Sequence, residues 1–198
     1  TNIYDEHAYL IDRANEKRKA IANAYRLKNK NIRPLIMIQF PDMSDDLIEH
    51  VESKLDEMGY NYENKLVAKW MSESCDKINI SGIKELDARP VFLLMKQAIA
   101  TGWDCPRAKI LVKLRENMSE NFTIQTIGRL RRMPEATHYD IDLLDNCYLY
   151  TFDEKYKQSI KQELSNAFDV KRVHLKEKCK TFTLEKQMKD LDFDGLGE

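Results

Sequence analysis

The stretch ATGWDCPRAKIL, Ala100 to Leu111, decides how the rest of the chain reads. It begins shortly after the apolar run VFLLM (91–95) and leads into another, KILVKL (109–114). Gly102 and Asp104 read as a turn between two strands, closed by Pro106. In an open α/β sheet ligands collect at the carboxyl ends of strands, and this turn is reached from one such end. A carboxylate there can accept hydrogen bonds from a ribose hydroxyl or hold an arginine. The plain alternative is a tight turn in which Asp104 satisfies local backbone amides.

Working outward, three further runs have strand length and branched or aromatic character: PLIMIQF (34–40), LVAKWM (66–71) and CYLYTF (147–152). Helix-like segments fall between several of the runs. SDDLIEHVESKLDEMG places Ser44 at an N-cap, Asp45 and Asp46 in the first turn, and Gly59 as a stop. A second helix is expected from near Ser119 and a third after Asp153. Strands alternating with helices predict an α/β fold, a mostly parallel central sheet flanked by helices. Residues 1–30 are charged and helix-prone, and read as a lead-in or linker that either packs on the sheet or joins a preceding domain. The main domain is expected over 31–168, with a lysine-rich extension over 169–198.

Composition narrows the function. At 42% hydrophobic and 33% charged, 198 residues describe a globular chain able to hold one good-sized core. The net charge of -1 excludes a globally basic protein, so any nucleic-acid surface must be local. Between Arg107 and Arg132 seven basic residues face two acidic ones, which marks that stretch as the candidate. Cys75, Cys105, Cys147 and Cys179 form no C-x-x-C pair, so no metal site is expected and the thiols read as reduced, in a cytoplasmic protein. No apolar run is long enough for a membrane span. The chain opens on Thr1 without an initiator methionine, as a processed protein or a piece of a longer polypeptide would.

A second motif, QTIGRLRRMPE (Gln125 to Glu135), sits within the basic stretch. On a helical wheel Gln125, Gly128, Arg129 and Arg132 share one face, and Ile124, Ile127 and Leu130 lie on another. A glycine in a helix costs about 1 kcal/mol relative to alanine, and clustered arginines repel one another. Both make sense where a ligand approaches closely and brings phosphate oxygens to arginine's planar fork. A solvated basic face with an incidental glycine is the bland alternative.

Together ATGWDCPRAKI, then fourteen residues, then QTIGRLRR resemble motifs V and VI of superfamily-two DEAD/DEAH-box helicases, most closely those related to the Res subunit of type III restriction enzymes. There a Gly-Trp-Asp turn precedes Gln-x-x-Gly-Arg-x-x-Arg. The resemblance is sharp over 91–134 and implies a three-layer RecA-like C-terminal lobe of an ATP-dependent helicase or translocase. ATP and Mg2+ would lie between this lobe and an N-terminal RecA-like lobe of the same parent polypeptide. By position Arg132 matches the arginine finger, which neutralises charge on the γ-phosphate in transfer to water, and Arg129 assists it. Gln125, Gly128, Gly102 and Asp104 match positions at the nucleotide. Lys96, Thr101 and Ser72 match positions tracking the nucleic-acid backbone, with lysine at 96 where many relatives carry threonine.

The implied partners are DNA, with RNA as the alternative, and a modification methyltransferase or nuclease of a restriction or defence system. No G-x-x-x-x-G-K-[ST] phosphate loop occurs in the chain, so the fragment alone is expected to bind no cofactor and to be inactive. Asp5 to Ala8 reads DEHA but does not end an apolar strand, so it is not a Walker B box. A non-enzymatic RecA-like module that binds nucleic acid or protein is the competing reading.

Overall fold

All five apolar runs become strands. The computed structural model describes residues 3–41, 44–72, 77–96, 104–114, 130 and 132–153. Strands β1 (Leu35–Gln39), β2 (Val67–Trp70), β3 (Lys77–Ile78), β4 (Phe92–Met95), β5 (Ala108–Lys113) and β6 (Tyr148–Tyr150) form one sheet in the order β3-β2-β4-β1-β5-β6. Every pairing is parallel except β2 with β3. β1, β4 and β5 are buried along their whole length. A parallel strand covered on both faces needs such a continuous run, whereas a sheet with one wet face needs alternation. β3 was not expected: two exposed residues at a sheet edge carry no periodic signal.

Side chains alternate between the two faces. Ile36, Ile38, Phe92, Leu94, Ile110 and Val112 share one cluster with helices α1 (Ile3–Leu27) and α2 (Asp45–Glu57). The opposite face carries Leu35, Met37, Leu93 and Leu111 together with Ile83, Cys105 and Leu130. Residues 3–27 therefore take the first of the two options left open for the lead-in. Leu10, Ile11, Ala14, Ile21 and Tyr25 of α1 are buried in the sheet's own core.

α2 shows what local sequence decides and what it does not. Gly59 adopts φ +81, and the amides of Gly59 and Tyr60 return to the carbonyls of Asp56 and Leu55, both at 2.8 Å. This Schellman-type ending requires a left-handed residue, which glycine supplies without a Cβ clash. Ser44 stands at the N-cap, but its hydroxyl donates to the carbonyl of Pro41 at 2.7 Å and caps no helix amide.

Candidate functional site

The described part of the Ala100 stretch begins at Asp104. Pro106 and Arg107 are the central residues of a turn closed by a hydrogen bond from the Ala108 amide to the Cys105 carbonyl, 2.9 Å, with proline at the position its fixed φ favours. The turn delivers the chain to the amino end of β5. What holds it there is Arg107, fully buried with no carboxylate contact of its own described. Its Nε donates to the Ile83 carbonyl at 2.8 Å, and its Nη1 to those of Arg33 at 2.9 Å and Pro90 at 3.0 Å. Arg33 and Pro90 lie just ahead of β1 and β4, so one guanidinium ties together the approaches to three adjacent strands. Burial lowers its pKa. The neighbouring Cys105 thiol is packed in the core and pushed up by the same desolvation.

The second motif is anchored independently. Leu130 is helical and buried on the same face as Cys105. The helix has ended by Arg132, and Met133 is extended at φ -89, ψ 134, as a residue before proline prefers. Met133 accepts a contact from Lys109 Nζ at 3.7 Å, and Pro134 is buried. Glu135, left-handed at φ 57, pairs with Lys30 at 2.8 Å and accepts from the Tyr139 hydroxyl at 3.0 Å. The Lys30 bond, then the Tyr139 bond, hold the Glu135 carboxyl below its ordinary value; burial, then Glu135, push Tyr139 up to about 12.

Between these anchored segments one ion pair forms: Arg132 Nη1 contacts Asp104 Oδ2, with side chains 56% and 40% exposed. Of the two uses open to a carboxylate at this turn, holding an arginine is the one observed. Asp104 Oδ1 is buried and has no hydrogen-bond partner among the described residues, so the contact with Arg132 is not a two-toothed fork. Arg132 itself is not helical, and its side chain is directed at Asp104.

Lys96 follows β4 at its carboxyl end and pairs with Asp45, in the first turn of α2, at 3.1 Å. Ser72 follows β2 and is half-buried. Thr101, Gly102, Gln125, Gly128 and Arg129 lie outside the described residues. The structure thus joins Asp104 to Arg132 and leaves Lys96 and Ser72 after the carboxyl ends of β4 and β2.

The local basic count needs correction. Arg107, Lys109 and Lys113, three of the seven cations in it, are buried in or beside β5 and form no surface. Lys109 sits where the β1–β5 register slips by one residue, a bulge that redirects a side chain. Burial lowers its pKa. Lys113 is paired with Asp153 at 2.7 Å. The signal for these roles was present: a lysine inside a strand-length apolar run reads first as a partnered internal cation.

Among the described residues no His, Cys, Asp and Glu group could hold a metal, and no helix is long and apolar enough to cross a membrane. Neither the protein-family models nor the curated proteins compared with the chain give a match.

Proposed function

We propose that this chain is the second RecA-like lobe of an ATP-dependent nucleic-acid helicase or translocase, related to the Res-type superfamily-two motors and acting on DNA. The carrying observation is the Asp104–Arg132 ion pair, which brings the two motifs into contact through residues 28 positions apart in the chain. The mostly parallel α/β sheet supports the same reading. Arg132 then presents its guanidinium to the γ-phosphate of ATP held by the first lobe, and Lys96 donates to the nucleic-acid backbone. The alternative is a non-enzymatic RecA-like module that binds nucleic acid or protein.

Turnover in the two-lobe parent polypeptide separates these readings. Arg132→Ala should leave folding and most ground-state nucleotide affinity in place and reduce nucleic-acid-stimulated ATP hydrolysis by about 10³- to 10⁵-fold, the range for arginine fingers. Arg132→Lys should fail substantially, because a point charge does not reproduce the planar fork. Turnover within a few-fold of the parent in a folded Arg132→Ala protein rules out the motor-lobe role.

A further inference from the structure

We propose that Asp104 is the positioning residue for Arg132: its carboxylate grips one end of the guanidinium and leaves the other edge turned to a phosphate. The inference rests on the motor-lobe reading and names a residue that acts through the finger.

The backbones on both sides are fixed by bonds that do not involve the pair. On the Asp104 side, Arg107 ties the turn to the carbonyls of Ile83, Arg33 and Pro90, and Cys105 is buried beside it. On the Arg132 side, Leu130 is buried, Met133 is held by Lys109 and Glu135 by Lys30. What remains free is the Arg132 side chain itself, more than half exposed and rich in rotamers. A single carboxylate contact removes that freedom before substrate arrives, and ordering done in advance raises the rate of the chemical step. The contact is at Nη1, so the Nε–Nη2 edge keeps two parallel donors for phosphate oxygens. A half-exposed pair adds little to fold stability, so the placement of Asp104 is explained by what it does to Arg132.

The test uses the parent two-lobe polypeptide and reads kcat and KM separately. Asp104→Ala should lower kcat by about 10- to 30-fold, the cost of re-ordering one arginine side chain, with KM for ATP within about 2-fold. Asp104→Asn keeps an acceptor for Nη1 and should recover to within about 3-fold of the parent. On the present chain, the 15N-resolved Arg132 Nε–H signal should report a restrained side chain in the native sequence and in Asp104→Asn, and lose that signature in Asp104→Ala. A loss on Arg132→Ala with none on Asp104→Ala overturns the positioning role while the motor reading stands. A rise in KM that accounts for the Asp104→Ala loss also overturns it, since Asp104 then contacts nucleotide directly. No loss on Arg132→Ala removes the motor reading and the inference with it.

Discussion

Two sets of cations in this chain meet opposite fates. Arg107, Lys109 and Lys113 are buried, held by backbone carbonyls, a thioether and a carboxylate respectively. Arg132 and Lys96 stand at the rim, each against one acidic side chain that is itself exposed. The residue types are the same and the physics differs. A buried cation costs stability where a donor goes unmet, as at Arg107 Nη2, and removing one strands the acceptors it does hold. A rim cation sits in high dielectric, where its pair contributes only about 0–1 kcal/mol and can exchange partners. The first set builds the platform, and the second can serve a ligand.

The sharpest break of this contrast is at Arg107. Arg107→Ala removes the donors to Ile83, Arg33 and Pro90 at once and leaves a cavity at the amino end of the sheet. The expected loss is about 3 kcal/mol or more, from stranded buried carbonyls at about 1–3 kcal/mol each and the cavity. Denaturant unfolding measures it, and a loss under 1 kcal/mol would place Arg107 with the rim set.

How much of this was legible follows the same division. Strand identity was readable because continuous apolar runs state burial directly, and Gly59 was readable because one left-handed residue ends the helix. Ser44 gave the boundary of α2 but not its bond, since a hydroxyl chooses among acceptors only once Pro41 is in place. The pairing of Asp104 with Arg132 was open, because it depends on two loops that the core brings together. The helical wheel grouped Arg132 with Gln125, Gly128 and Arg129, which lie outside the described residues; Arg132 itself is not helical, and its described partner is Asp104. Counting charge between Arg107 and Arg132 included three buried cations, because a count along the chain carries no information about which face of a strand a lysine occupies.

Lys109 gives the intermediate effect, with the opposite sign. Its described contact is the Met133 sulfur, a weak acceptor, so its ammonium is desolvated with little return. Lys109→Met should range from no change to a gain of about 4 kcal/mol, as when a buried charge gives way to an apolar group of similar volume. The pH dependence has a definite direction. Burial, against the pull of Cys147 and Asp145, sets the folded pKa below 10.5, so within that window the unfolded chain binds more protons and stability rises with pH. Tyr25 and Tyr139, raised by burial, act the other way above pH 10. The difference between native and Lys109→Met proteins isolates the lysine, and a difference that is flat below pH 10.5 contradicts its burial as a charged group.

The smallest effect is expected at Lys96, and it bears on function more than on stability. Its partner Asp45 is 92% exposed, so the pair is screened and Lys96→Ala should cost under about 1 kcal/mol. If Lys96 exchanges Asp45 for a nucleic-acid phosphate, Lys96→Ala should weaken single-strand binding equally for all sequences. It should also reduce the slope of log K against log salt by about 0.7, the loss of one contact. Asp45→Ala supplies the opposite arm: it frees the ammonium and removes a nearby negative charge, so affinity should rise while the salt slope stays the same or steepens. Equal binding by the native, Lys96→Ala and Asp45→Ala proteins at low salt would make the Lys96–Asp45 pair a surface contact with no part in tracking nucleic acid, and would leave Arg132 as the rim cation with a proposed ligand.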